Sequence, residues 1–193
     1  MKKVFFFSSG FLILGGSGTD TLPEFWSPYD ATIHANLPDA LNPPDTFTMD
    51  AVGNTIIACH GSTCEKLSAE GSWVPHSNTQ QPRWKHTSAV HEGRILLVGG
   101  SAFPTTTEWV NMDGTTEEGP FPLQDPGRQN HCSITLEDPP SMILTGGKNT
   151  GVQVTQYSLP NGDTWQLPDL TEPREYHACG VYQTSDGTGS QVG

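Results

Sequence analysis

The residues best suited to chemistry in this chain of 193 are seven histidines and four cysteines: Cys59, Cys64, Cys132 and Cys179. Thiolate and imidazole groups at short spacing are the ligands zinc prefers. Cys59-His60 and Cys64 form one such group, but no second cysteine pair stands at zinc-site spacing. Paired carboxylates, a common sign of acid–base work, occur as Glu117-Glu118 and Glu137-Asp138. The second pair runs into Pro139-Pro140, which marks an exposed turn, and both pairs read as solvated acidic surface. Gly15-Gly16-Ser17-Gly18 is rich in glycine but lacks the strand–GxGxxG–helix setting of a nucleotide site. No nucleophile elbow and no phosphate-binding loop occurs. The residues therefore predict no catalytic, cofactor-binding or metal-binding set, no cofactor, and no enzyme.

Three of the histidines are locked to a repeat. The phrase Arg-x-x-His recurs as Arg83-Trp84-Lys85-His86, Arg128-Gln129-Asn130-His131 and Arg174-Glu175-Tyr176-His177. Its copies lie 45 and 46 residues apart. Each of the first two is followed by an apolar run ending in a glycine pair: Ile95–Val98 before Gly99-Gly100, and Met142–Thr145 before Gly146-Gly147. An aromatic follows each pair, Trp109 and then Tyr157. Trp73 precedes Arg83 much as Trp165 precedes Arg174. A residue that recurs in register with a fold repeat is placed there by the fold, so these histidines and arginines are expected to bond loop carbonyls and carboxylates.

The elements that carry this repeat must be short strands. Glycine (21) and proline (16) are abundant, which suits many turns. No long segment has the 3.6-residue apolar period of a helix, and apolar runs such as Ile56–Ala58 are bounded by turn residues. The formal charge of −12, with nine scattered Lys and Arg, argues against a nucleic-acid or anionic membrane partner.

Together these features resemble the kelch motif, whose repeats of roughly 50 residues each build one four-stranded propeller blade. The resemblance implies an all-β, kelch-type β-propeller. In each blade Thr87–His91 or its equivalent is the inner strand, Glu92-Gly93 the turn, and Arg94–Val98 the second strand. Trp109 and Tyr157 then lie on third strands, and Trp73 and Trp165 on outer strands, all packing between blades. Glu117–Phe121 stands where the third repeat's outer-strand Trp belongs, so that blade is expected to pack less tightly, with Phe121 as a partial substitute.

The resemblance extends upstream. Ile56–Gly61 takes the glycine-pair position with His60 for the first glycine, and Pro44 and Phe47 take the places of Arg and His. Phe11–Gly16, Trp26 and Leu37–Pro43 fit a degenerate first blade. The chain reads as one partial propeller, 1–193, with repeats at about 1–43, 44–82, 83–127, 128–173 and a short fifth at 174–193. That is four blades and the start of a fifth in an incomplete ring, an arrangement expected to be prone to association.

Residues 1–18 have a second reading. Lys2 and Lys3, the apolar run Val4–Leu14 and small residues to Gly18 fit a secretory signal peptide. In secreted material Cys59 and Cys64, flanking a short turn, are expected to form a disulfide. Cys132 and Cys179 begin successive inner strands, and pairing between them is left open. The functional expectation is a non-enzymatic, extracellular binding scaffold for a protein or carbohydrate, without membrane insertion. Its recognition loops would be those after the glycine pairs, Ser101–Thr107 and Lys148–Val152. The alternatives are a cytoplasmic kelch adaptor that recruits substrates to ubiquitin ligases, and a fragment of a copper-oxidase-like propeller similar to galactose oxidase, whose ligand set cannot be matched here.

Overall fold

The structure is a computed structural model that describes residues 46–183, except 69, 71 and 125, and the strand segments 3–7, 10–14, 24–26, 33–34 and 190–192. Among the described residues every regular element is a β-strand. Strands β1 (Lys3–Phe7), β2 (Gly10–Leu14), β3 (Glu24–Trp26) and β4 (Ile33–His34) form a first antiparallel sheet in sequence order. A second has three strands: β5 (Thr48–Val52), β6 (Thr55–Leu67) and β7 (Trp73–Arg83). A third has β8 (Thr87–His91), β9 (Arg94–Val98), β10 (Thr107–Val110) and β11 (Thr116–Glu118). A fourth has β12 (Cys132–Glu137), β13 (Pro140–Thr145), β14 (Val154–Ser158) and β15 (Thr164–Leu167). β16 (Val181–Gln183) pairs with β17 (Ser190–Val192).

The second, third and fourth sheets are meanders with short connections. Between β8 and β9 the chain reverses in two residues, Glu92 and Gly93, at φ 49° and 72°. Two positive φ values in succession give the turn whose twist matches paired strands. Asp138 and Pro139 form the exposed tip between β12 and β13, next to the exposed Glu137 that ends β12. The first strands of the second, third and fourth sheets are neighbours: β5 contacts β8, and β8 contacts β12. The sheets therefore stack face to face with their first strands on one side.

Stacking explains the apolar alternation in β9. Side chains of a strand point alternately to opposite faces. Ile95 and Leu97 enter a core with Val52, Ile57, Cys59, Cys64 and Val110, between the second and third sheets. Leu96 and Val98 enter another with Trp109, Met142, Leu144 and Tyr157, between the third and fourth. Ile95, Leu96, Leu97 and Val98 are fully buried. Burial of such side chains contributes roughly 1.5–3 kcal/mol each.

Three features depart from the sequence expectations. In the second sheet no turn separates a second from a third strand. β6 is one long strand that pairs with β5 through its first part and with β7 through its second, with register shifts after Gly61 and Cys64. With His60 replacing the first glycine, only Gly61 takes a positive φ, 51°, and the backbone bulges where the other repeats loop out. Cys59 and Cys64 bridge this bulge with Cα atoms 4.1 Å apart, so the expected disulfide forms inside a strand.

The third sheet is not loosely packed. Phe121 is buried and stacks on Tyr157 with ring centroids 4.5 Å apart and planes 14° from parallel. Thr107 Oγ1 donates to the Phe121 carbonyl at 2.5 Å and fixes the loop that delivers it. The chain thus supplies the aromatic from just beyond β11 instead of from it. Phe121→Ala is expected to lower stability by about 3 kcal/mol, because it opens a cavity in this core. Chemical denaturation at constant slope checks it.

Trp165 was expected to pack between sheets, yet it is 48% exposed on β15, all of whose residues are exposed or half-buried. It lies on the outermost strand of the fourth sheet, where the described residues provide no covering face.

Candidate functional site

The Arg-x-x-His phrases fold as clasps between sheets. Arg83 donates through Nη1 to the carbonyls of Gly99 (2.9 Å) and Thr106 (3.0 Å), closing the loop between β9 and β10. Arg128 makes the same pair of bonds to Gly146 (2.8 Å) and Gln153 (3.0 Å) in the fourth sheet. The second partners differ. Arg83 Nε meets Glu108 Oε2 at 3.3 Å in a fully buried ion pair, whereas Arg128 Nη2 donates to Thr155 Oγ1 at 2.7 Å. Burial lowers the pKa of both arginines, and the Glu108 carboxylate opposes that shift at Arg83.

The histidines link one sheet to the next. His86 Nε2 is hydrogen-bonded to Thr48 Oγ1 at 3.0 Å, and His131 Nε2 to Thr87 Oγ1 at 2.8 Å. Thr48 and Thr87 are the first residues of β5 and β8, so each ring reaches back to the preceding sheet. His131 is held neutral, its pKa pushed down to about 3, first by burial and then by the charges of Arg128, His86 and His177. Burial and Arg174 lower His177 as well.

The glycine pairs exist because these clasps pass over them. A Cβ on Gly99 would collide with the Arg128 carbonyl and approach Cε1 of His131 to 3.3 Å. At Gly146 it would collide with the Arg174 carbonyl and approach Cε1 of His177 to 2.9 Å. The second glycine of each pair has φ of 114° or 103°, a region closed to other residues.

The third residue of every phrase is left-handed: Lys85 at φ 61°, Asn130 at 57° and Tyr176 at 57°. Such a conformation costs free energy in a residue other than glycine and persists only where its surroundings impose it. Here a ladder of backbone bonds imposes it. Asn130 N–H donates to Lys85 O at 3.0 Å, and Tyr176 N–H donates to Asn130 O at 2.9 Å.

The ladder edges a cleft of about 630 Å3. Four equivalent segments line it: 46–50 (without Thr48), 85–88, 130–133 and 176–179. Phe47 contributes where the other segments contribute His86, His131 and His177. Lys85, Asn130 and Tyr176 all belong to the lining. Lys85 Nζ stands 5.9 Å from the Tyr176 ring centroid, Asn130 Nδ2 donates to Glu175 Oε2 at 3.3 Å, and Tyr176 is 58% exposed. The arrangement offers an apolar floor with Phe47 and Met49, the Lys85 ammonium, the Asp50 carboxylate and the exposed Tyr176 ring. His131 is held neutral in the cleft wall, and the pKa of His177 is lowered by burial and Arg174.

The loops Ser101–Thr107 and Lys148–Val152 take no part in the cleft. The first is sewn down: Arg128 N–H bonds Pro104 O, Leu123 N–H bonds Thr105 O, and Gly127 packs on Pro104. The signal that could have found the cleft was the phrase itself, whose variable third residue lines it: Tyr176 exposed, Lys85 half-buried and Asn130 buried. Among the described residues no group of three or more His, Cys, Asp or Glu is placed to hold a metal ion. No described helix is long and apolar enough to cross a membrane.

These tandem antiparallel meanders, stacked through their first strands, define an all-β protein. Among solved structures it is similar to the one described as the structure of YjhT, with a TM-score of 0.74 over 100% of this chain and 83% of that one. Identity is 10%, so the likeness is one of fold alone. No family model matches the chain, and no curated protein matches it by sequence.

Proposed function

We propose that the stacked sheets are kelch-type propeller blades, four with the start of a fifth, and that the protein is an extracellular, non-enzymatic binding scaffold whose partner seats in the cleft. The observation that carries this reading is the convergence of four repeat-equivalent segments on one cleft, with left-handed residues spending backbone strain to present Lys85, Asn130 and Tyr176 at its edge. The repeated phrase and its matching Arg and His clasps support the kelch assignment. Two disulfides and no free cysteine among the described residues fit an oxidising compartment.

The partner is a protein or carbohydrate that presents an apolar face to Tyr176 and hydrogen-bonding groups to Lys85. Exposed aromatic and polar side chains on a rigid frame are the usual carriers of binding free energy. Screening on a glycan array and an extracellular protein library tests the reading. Tyr176→Ala is expected to weaken any specific partner at least tenfold while leaving the melting temperature within about 2 °C, since the ring is largely exposed. Partners that bind Tyr176→Ala and Lys85→Ala as well as wild type would place recognition away from the cleft.

A further inference from the structure

The two disulfides differ in setting. Cys59–Cys64 lies in the core between the second and third sheets, each residue 1% exposed. Cys132–Cys179 joins the first residue of β12 to the segment after the last phrase, with Cα atoms 6.0 Å apart. Both of its cysteines are half-buried and line the cleft.

The position of Cys132 shows what this bond replaces. The equivalent first-strand residues are Thr48 and Thr87, each bonded to the histidine of the following phrase. In the fourth sheet cysteine stands there, and His177 turns to Thr145, the residue opposite Cys132 in the β12–β13 ladder, at 2.7 Å. A covalent bond thus takes the place of the side-chain clasp between units.

The segment it holds is thin. Residues 171–181 are exposed except His177 and Cys179, which are half-buried. Besides the disulfide, the His177 bond and a long Cys179 Sγ contact to Ser133 O, it is tied by Arg174 N–H to Gly151 O, Gly147 N–H to Arg174 O, Tyr176 N–H to Asn130 O, and Asn130 to Glu175. Tyr176, His177, Ala178 and Cys179 of this segment make one wall of the cleft.

We propose that Cys132–Cys179 is a thiol–disulfide exchange site and that its reduction opens this wall. A thiolate of a dithiol attacks one cystine sulfur, forming a mixed disulfide and releasing the other cysteine as a thiolate, which takes up a proton. The second thiol of the dithiol, deprotonated, displaces the remaining cysteine. The products are two cysteine thiols and one oxidised dithiol, with two electrons and two protons transferred. Attack requires access to sulfur; Cys132 and Cys179 are half-buried and line the cleft, whereas Cys59 and Cys64 are each 1% exposed. The proposal does not depend on what the cleft binds.

Dithiothreitol titration of the folded protein tests it, with iodoacetamide trapping, peptide mapping and amide exchange on the same samples. At low reductant Cys132 and Cys179 are expected to be alkylated while Cys59 and Cys64 remain paired. The amides of Tyr176 and Gly147 are expected to exchange at least tenfold faster, with those of Ile95–Val98 unchanged. Cys132→Ser with Cys179→Ser should show the fast exchange without reductant. Cys132→Thr with Cys179→Ser restores the threonine of the other units and should give slow exchange that dithiothreitol does not alter. Reduction of Cys59–Cys64 first, or of both bonds in one step, would overturn the exchange site. Selective reduction that leaves Tyr176 and Gly147 protected would overturn the opening of the wall.

Discussion

Glu108→Ala is expected to cost about 3–5 kcal/mol of stability, because it leaves a buried guanidinium without its carboxylate. Arg83 and Glu108 have side chains only 2% exposed and meet at 3.3 Å. Glu108 Oε1 also accepts from Gln80 N–H at 2.5 Å, so the substitution strips a partner from β7 as well. The fourth sheet supplies a control. Thr155 occupies the place of Glu108 and accepts from Arg128 at 2.7 Å, with no carboxylate. Glu108→Thr copies that arrangement and is expected to cost less than half as much as the alanine. Urea unfolding of both variants distinguishes hydrogen-bond satisfaction from charge pairing as the main contribution. Equal losses in the two would mean that only the carboxylate matters.

Stability is expected to fall as pH drops from about 6.5 towards 3, with His131 contributing on the order of 4 kcal/mol to the loss. The ring is neutral in the folded protein down to a pKa of about 3. In the unfolded chain it takes up a proton near its ordinary value of 6.5. Between those values the unfolded state binds more protons, so stability rises with pH. The contribution is fully present above 6.5 and is lost progressively below it. His177, lowered by burial and Arg174, acts in the same direction. Carboxylates also titrate in this range, so the measurement is a difference. The wild-type pH profile of the unfolding free energy should be steeper than that of His131→Gln, which keeps a hydrogen-bonding group but cannot titrate. Parallel profiles would show that His131 is charged in the folded state.

Much of the fold could be read from residue spacing. Ile95–Val98 ending in Gly99-Gly100, recurring as Met142–Thr145 with Gly146-Gly147, marks the second strands because a strand buried on both faces needs a continuous apolar run. The roles of Arg83 and Arg128 followed from their register with those glycines. Other features depended on partners that sequence does not reveal. A single His60 in place of glycine merged two strands into β6, since a bulge closed by a disulfide five residues long replaces a loop. Phe121 filled the third sheet's aromatic position from outside the strand, guided by Thr107. Trp165 has the type of a packing residue, but burial depends on what lies opposite.

The site was legible only in its skeleton. Repetition marked His86, His131 and His177 as residues bonded within the fold, but each bonds a threonine hydroxyl on a strand where a loop carbonyl or carboxylate was expected, and the same repetition brings their neighbours to one place. Lys85, Asn130 and Tyr176 share nothing in side-chain chemistry, so no motif links them. What they share is a positive φ, imposed by a backbone ladder that joins residues 45 or 46 apart. The loops after the glycine pairs vary in sequence, and the first is held down by backbone bonds to Pro104 and Thr105 outside the cleft.

Amide chemical-shift mapping with phenol and glucose as probes locates the binding surface directly. The cleft reading predicts perturbations at residues 46–50, 85–88, 130–133 and 176–179, strongest at Tyr176 and Asn130 and reduced in Tyr176→Ala. Perturbations confined to Ser101–Thr107 and Lys148–Val152, with the cleft amides unmoved, would contradict it.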